Sequence, residues 1–275
     1  VFGLALNVFH DLVEVSLKGA GITITAAGKY AGTMPTAPEQ NTAGVVAKLI
    51  LEKAKANTGI EIQIVKEIKP GCGLGSSGAS AAAVAVALDH LLGTNYSKME
   101  LIAMAAQGES ASAGFPHADN VAAAILGGFT IIRSYEPLDV LGLKVPKNLE
   151  VAVAIPEVPM PPKKTEQARS ILPDKVPLSK MVHNVGHAST LVAGFAQSDI
   201  NLIGKGMSDW VVEPVRARLI PGYEKVRRSA LDAGAAGVAI SGAGPTMIAI
   251  VDAEKVNTTD VAEAMKDAFE QEGVK

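Results

Sequence analysis

Aromatic residues make up only 4% of this 275-residue chain, and there is a single tryptophan. With 48% hydrophobic residues and 27 glycines, the core must be built from Ala, Val, Ile and Leu in a fold whose backbones approach closely. Apolar content at that level excludes intrinsic disorder. One cysteine excludes an internal disulfide framework and a cysteine-based zinc site, which accords with a reducing compartment. Charged residues reach 19%, against about 25% in a typical globular protein. The 25 basic and 28 acidic residues leave a net −3, so no global field recruits nucleic acid or an anionic membrane. No apolar run reaches the roughly 18 residues needed to span a bilayer. The Ala-rich stretch from Ala79 to Leu92 is interrupted by Asp89 and His90 and suits a buried helix. The opening VFGLALNVFHDLVEV has neither a basic start nor a small-residue cleavage site, so it does not read as a signal peptide.

Length predicts two domains or one large one, and apolar periodicity supplies the organisation. Residues 1–30 read as three short strands, LALNVF, LVEVSL and ITITAA. After the proline-bearing loop TMPTAP, the segment NTAGVVAKLILEKAKANTG reads as a helix. Thr42 is its expected N-cap, Val45, Val46, Leu49, Ile50 and Ala54 its apolar face, and Gly59 its stop. In GIEIQIVKEIKP, Ile60, Ile62 and Ile64 alternate with Glu61 and Gln63, which predicts a strand with one buried face, antiparallel or at an edge. Helices are predicted over Ala79–Leu92, about Ser97–Ser110 and NVAAAILGG, with a strand at GFTIIRSY. Residues 138–148 read as a connection, which sets domains of 1–148 and 149–275. Beyond it, LEVAVAIPEV restarts a strand and PMPPKKTEQARSILP forms a basic, proline-containing loop. Helices from about Ser179 to Gln197 and from Tyr223 to Ala233 precede a hairpin, GVAISGAGPTMIAIVD. A final amphipathic helix runs from Thr259 to about Gln271. Interspersed helices and alternating strands predict an α+β fold rather than a doubly wound α/β one.

The densest local signal is Pro70-Gly71-Cys72-Gly73-Leu74-Gly75-Ser76-Ser77-Gly78-Ala79-Ser80, between a strand and a helix. Small residues let backbone N–H groups converge on an anion, and the following helix adds its positive dipole end. Ser76, Ser77 and Ser80 add hydroxyls that can cap the helix, bind phosphate oxygens or hold a cation. Gly73 to Gly78 formally matches G-x-G-x-x-G. The preceding strand has a polar face, however, and the acidic residue expected about 20 positions on is missing, since Asp89 sits inside the helix. A Walker-type P-loop is excluded because no Gly-Lys-Ser/Thr is present after the glycines. A tight turn without a ligand is the plain alternative, and two consecutive serines at the helix start count against it.

The loop PGCGLGSSGAS resembles the phosphate-binding motif P-x-x-x-G-L-x-S-S-A/G of the GHMP kinases. ISGAGPTMIAIV at 240–251 is similar to their C-terminal motif S-G-A/S-G-P-S/T. GESASAGFPHADNVAAAILGGF at 108–129 is similar to the H-x-D-N-V-A segment of the homoserine kinases within that family, the archaeal type most of all. The three motifs come in the family's order and span nearly the whole chain. The resemblance implies a two-domain α+β fold, with an N-terminal domain like ribosomal protein S5 domain 2 and a ferredoxin-like C-terminal domain. It also implies a cytoplasmic, homodimeric enzyme of threonine biosynthesis that phosphorylates the side-chain hydroxyl of L-homoserine with ATP and Mg2+.

Residue roles come from the same resemblance. The loop Pro70–Ser80 would cradle the ATP phosphates, and Asn41 in NTAGVVAK would contact the adenine, its alternative role being a helix cap. Magnesium takes hard oxygen ligands and keeps several waters, so one hydroxyl and one carboxylate suffice; the resemblance gives these to Ser77 and Glu109. His117 and Asn120 would contact the amino acid, with Asp119 either joining them or supporting the loop. Arg169, in TEQARSILP, and Arg216, in EPVRARLIPG, would bind the substrate carboxylate, for which a guanidinium offers a two-pronged donor. Thr165 would reach the γ-phosphate, and Arg218 is the structural arginine. Gly242, Gly244 and Pro245 would shape the substrate floor and support the phosphate loop. His183 and His187, four apart on a helix, lack the Glu of H-E-x-x-H and read as packing or interface residues. Cys72 lies in the loop with no sign of catalysis, and no residue reads as a general base.

The first residues, VFGLAL, resemble the stretch just after the family's segment S-x-A-N-x-G-x-G-F-D, so an Asn and an Asp that help hold homoserine are expected ahead of Val1. Three other readings stand beside this one. They are a different GHMP small-molecule kinase, a non-catalytic nucleotide-binding protein on the same fold, and an NAD-binding oxidoreductase.

Overall fold

A computed structural model describes residues 1–110, 117–159 and 164–275, the Thr165 side chain excepted. The chain divides into two compact units, Val1–Leu143 and Lys144–Lys275.

The N-terminal unit holds two three-stranded sheets. One is formed by β1 (Phe2–Leu4), β5 (Phe129–Tyr135) and β6 (Leu138–Leu143), in the order β1-β5-β6 and antiparallel throughout. The other is formed by β2 (Leu12–Leu17), β3 (Ile22–Ala27) and β4 (Ile60–Val65), with β4 between its neighbours, antiparallel to β2 and parallel to β3. Among the described residues, the α-helices of the unit are α1 (Thr42–Ala54), α2 (Ser76–Leu92), α3 (Lys98–Gly108) and α4 (Asp119–Leu126). The core is aliphatic, as the scarcity of aromatics requires: Ile60, Ile62 and Ile64 of β4 meet Val46 and Ile50 of α1, Val84 and Leu88 of α2 and Ile102 of α3. Helix α2 packs against the other three helices and β2. Its Ala81, Ala82 and Ala85 are buried, because only small side chains let neighbours approach from several sides at once.

Three local expectations are corrected. The first strand is Phe2–Leu4 rather than LALNVF, since its pairing with β5 ends at Leu4 and Asn7 to His10 are exposed. The cap of α1 is Asn41, not Thr42: its Oδ1 accepts from Ala43 N at 2.9 Å, and the helix ends at Ala54, before Gly59. Strand β4 is one-sided and antiparallel to β2, the first of the two placements expected for it, and it lies at the centre of its sheet. The span read as a connection contains β6, whose Leu138 and Val140 pack on the core and whose Asp139 pairs with Arg133 of β5.

The C-terminal unit has one antiparallel sheet of β7 (Leu149–Ala154), β8 (Gly237–Ile240) and β9 (Met247–Asp252), with β9 in the middle. The expected hairpin is β8–β9. Helices α5 (Lys164–Ser170), α6 (Leu178–Gln197), α7 (Ile200–Lys205), α8 (Glu213–Arg216), α9 (Tyr223–Asp232) and α10 (Thr258–Gln271) surround it. Val226 of α9 and Val261, Met265 and Phe269 of α10 pack with Met247, Ala249 and Val251 of β9. The fold is thus α+β in two units, as the alternation of the strands implied.

Ile62 is fully buried on the central strand, whereas Val86 on the outer side of α2 is 47% exposed. Ile62→Ala should therefore lose about 2–5 kcal/mol of unfolding free energy. Val86→Ala should lose less than about 0.5 kcal/mol, both measured by denaturant titration.

Candidate active site

The strand-to-loop-to-helix passage from β4 to α2 is built on a buried ion pair. The alternation that buries Ile60, Ile62 and Ile64 continues past the strand and buries Lys66 and Ile68 as well. The Lys66 ammonium pairs with the Asp11 carboxylate, their side chains 4% and 1% exposed. It also donates to the Ser76 carbonyl at 2.7 Å and the Ser80 hydroxyl at 2.8 Å. Asp11 Oδ1 accepts from the Glu67 and Ile68 backbone N–H groups, each at 2.9 Å. Burial lowers the Lys66 pKa, while Asp11 and Glu109 favour its charged form. Asp11, more than 50 residues earlier in the chain, is thus tied to the strand end and to the helix start on either side of the glycine loop.

This floor divides the three serines. The Ser76 hydroxyl donates to the Ile68 carbonyl at 3.0 Å, and Ser80 is held by Lys66. Their side chains are engaged below the loop, so the hydroxyl roles open to them in the sequence narrow to support, and any anion they meet is met through backbone. Ser77 differs: its hydroxyl donates to Glu109 Oε2 at 3.0 Å. Gly75 starts α2 in the left-handed region, at φ +66°, and a Cβ there would lie 2.6 Å from Asn120 Oδ1. Only glycine lets the loop close on the start of α4 in this way.

Glu109, at the C-cap of α3, is 4% exposed. Burial pushes its carboxyl up to about 7; the Ser77 bond opposes this, the Asp119 charge adds to it and Lys66 opposes it. Asp119 begins α4, and its Oδ1 is buried without a hydrogen bond among the described residues. A hydroxyl, a buried carboxylate and a second carboxylate within electrostatic reach form a hard-oxygen donor set. That set lacks positive charge and fits a divalent cation such as Mg2+.

His117 is half-buried just before α4, and Asn120 is exposed in its first turn, against the phosphate loop. Asn41 is buried, and both ends of its amide are engaged, Oδ1 with Ala43 N and Nδ2 with the Pro35 carbonyl at 2.6 Å. The first of these contacts is the helix cap, and the second ties the cap residue to the preceding loop. Cys72 is 1% exposed and a free thiol.

In the C-terminal unit, the Arg216 guanidinium donates through Nε to the Ala168 carbonyl at 3.3 Å and through Nη1 to the Gly242 carbonyl at 3.0 Å. Arg169 is exposed on α5. Burial lowers the Arg216 pKa, and the charge of Arg169 lowers it further, so the two guanidiniums are close enough to repel. Paired like charges of this kind suit a carboxylate or phosphate. Lys164 donates to the Gly244 carbonyl, so the turn between β8 and β9 is held from two sides. The Thr165 side chain lies outside the described residues. His183 stacks on Trp210 and His187, with ring centroids 3.7 and 3.8 Å apart.

Sequence reasoning missed Asp11, Lys66 and the carboxylate of Asp119 facing Glu109. For Lys66 the signal was present, since its position continues the buried phase of the isoleucines. Asp11 sits in exposed, irregular sequence and carries no such mark.

The sequence matches the GHMP kinases N terminal domain over residues 41–128 and the GHMP kinases C terminal domain over 191–275. It is 47% identical over 270 residues to a homoserine kinase of Methanococcus maripaludis, covering 98% of this chain and 87% of that protein. A homoserine kinase of Methanocella arvoryzae is 45% identical, over 100% and 86%. Among solved structures, homoserine kinase from Cytophaga hutchinsonii superimposes with a TM-score of 0.90 at 39% identity, over 96% of this chain and 83% of that one. Mevalonate kinase of L. major, at 16% identity and a TM-score of 0.66 over 96% and 82%, shares the fold alone.

Two measurements test the geometry without substrate. Lys66→Met strands a buried carboxylate and should cost roughly 3–5 kcal/mol in denaturant unfolding, whereas replacing Lys66 and Asp11 together by apolar residues should cost less. Glu109 binds its proton more tightly folded than unfolded, so its contribution to stability is present below about pH 4.5 and lost as pH rises through about 7. Without divalent cations, stability should fall across that window by up to about 3 kcal/mol. Glu109→Gln should remove that fall.

Proposed function

The chain belongs to the GHMP kinase family, and from that membership we propose that it transfers the γ-phosphoryl group of ATP to the side-chain hydroxyl of L-homoserine. The observation that carries the proposal is the glycine loop leading straight into Ser77, whose hydroxyl meets the buried Glu109 carboxylate. Near-full-length identity to proteins named homoserine kinase supports the choice of acceptor.

Phosphoryl transfer asks a protein mainly for positioning and for cationic charge around the phosphates. In this reading the backbone of Pro70–Ser80 holds the ATP phosphates at the start of α2, where aligned N–H groups favour anions. Ser77 and Glu109, with Asp119 beside them, would hold Mg2+, which when bound neutralises charge on the phosphates. The raised pKa of Glu109 supports this, because a neighbouring cation is what would keep that carboxyl ionised. His117 and Asn120 orient the amino-acid end of the acceptor. Asn120 suits a zwitterion because its amide both donates and accepts. Arg169 and Arg216 supply the cationic fork for the acceptor carboxylate, and Thr165 is assigned to the γ-phosphate. The acceptor hydroxyl oxygen forms a bond to the γ-phosphorus as the bond to the β-bridging oxygen breaks, releasing ADP. The hydroxyl proton leaves to a phosphoryl oxygen or to water, so no side-chain base is required. Asn41 caps α1, and its second amide hydrogen and remaining lone pair are what this reading assigns to the adenine.

Among the described residues no helix is long and apolar enough to cross a membrane. A cytoplasmic location accords with ATP as substrate and with a free thiol at Cys72. A homodimer is the proposed assembly, supported by an exposed apolar stripe of Leu178, Met181, Val182 and Val185 on α6.

A coupled assay should show ADP release that depends on L-homoserine and is absent with mevalonate, galactose or shikimate. Turnover with one of those alcohols and none with homoserine overturns the assignment. Glu109→Ala should lower turnover by about a thousandfold, with circular dichroism unchanged.

A further inference from the structure

Arg216 sits at the end of α8, a helix of only four residues. A helix that short gains almost nothing from propagation and must be held in place from outside. The holding group is Asp209. Its Oδ1 accepts from Val211 N at 2.7 Å, Val212 N at 3.0 Å and the Asn184 amide at 2.8 Å, and its Oδ2 accepts from Glu213 N at 3.2 Å. One carboxylate thus gathers three consecutive backbone N–H groups at the start of the helix. The next link is direct: the Arg216 backbone N–H donates to the Val212 carbonyl at 3.1 Å. Asn184 is itself fixed, its Oδ1 accepting from Trp210 N at 2.9 Å. On the far side Glu213 Oε1 accepts from Ile240 N at 2.9 Å, which ties α8 to β8.

We propose that Asp209 is a positioning residue for Arg216, aiming the guanidinium by way of the Val212 and Glu213 backbone without touching the substrate. The consequence for substrate affinity rests on the homoserine kinase reading. A carboxylate has about four lone-pair positions; three donors share Oδ1 of Asp209 and one meets Oδ2, none of them the Arg216 guanidinium, which donates to the Ala168 and Gly242 carbonyls, so Asp209 shapes the helix instead of hydrogen-bonding to Arg216. Burial would raise the Asp209 carboxyl, but the bonds from Val211, Asn184, Val212 and Glu213 overcome that and hold it below its ordinary value. It is therefore anionic at neutral pH, with both oxygens engaged. Asparagine at this place would keep one oxygen and point an NH2 group at backbone donors.

The test is steady-state kinetics of Asp209→Asn. The Michaelis constant for homoserine should rise about tenfold, with kcat and the Michaelis constant for ATP within about twofold of wild type. Arg216→Lys should raise the homoserine constant too, and the double variant should be no worse than Arg216→Lys alone, because residues acting through one group are not additive. An unchanged homoserine constant, effects that multiply, or a parallel rise in the ATP constant would each overturn the proposal. If Asp209→Asn does not fold, Asn184→Ala removes one of the four donors and should move the homoserine constant alone by about twofold to threefold; no movement overturns it. A wild-type protein with no homoserine-dependent turnover would refute the proposed function instead. The positioning role then stands or falls on hydrogen exchange of the Arg216 Nε–H, followed by NMR: faster exchange in Asp209→Asn supports it and unchanged exchange sinks it.

Discussion

A lysine and an aspartate buried together under the glycine loop are the constraint on which the N-terminal unit depends. Removing two charges from water is costly, and an ion pair of this kind adds little net stability compared with apolar side chains of the same volume. Its worth is geometric. All three donors of the Lys66 ammonium have acceptors, in Asp11, the Ser76 carbonyl and the Ser80 hydroxyl. The other oxygen of Asp11 takes the N–H groups of Glu67 and Ile68. A network satisfied to that degree permits one arrangement of the strand end, the loop and the first helical turn, where an apolar plug would permit several.

The same network decides which hydroxyl is left for chemistry. With Ser76 and Ser80 bonded downward, Ser77 alone among the loop serines meets Glu109. Glu109 in turn is pushed up by burial and by Asp119, and drawn down by Ser77 and Lys66. Two carboxylates set against one buried ammonium leave the upper layer short of positive charge, whereas the lower layer is balanced. The floor is thus balanced, and the carboxylates above it are the groups to which the proposed function assigns a cation.

Much of this was legible in the residues. Period-two alternation identified β4, the small-residue run identified α2, and three motifs in order identified the family. The errors had physical causes. Strand β6 looked like a linker because its Leu138 and Val140 are only partly buried and its partner side chains lie in β5. Thr42 was preferred to Asn41 as a cap because both types cap helices, and only the bond to Ala43 N tells them apart. Asp11 was invisible because its value arises from Lys66, far along the chain, and no local pattern records such a pairing. Lys66 itself was readable: a charged residue on the buried phase of a strand must have partners.

The C-terminal unit solves the converse problem, which is to keep a charge unneutralised while holding it still. The partners of Arg216 among the described residues are carbonyl oxygens, from Ala168 and Gly242, and not carboxylates. Carbonyls fix the direction of a guanidinium without cancelling its charge. Asp209 lies near enough for its charge to act on Arg216, yet its oxygens are turned to backbone N–H groups and the Asn184 amide, and Glu213 is turned to Ile240 N and Tyr223. Arg169 then adds repulsion rather than relief. Holding Arg216 beside a second guanidinium costs stability, and an anion bound at Arg216 would offset that cost. Were the acceptor carboxylate to bind there, as the proposed function has it, part of its binding free energy would be stored in the fold, in the choice of carbonyls over carboxylates around one arginine.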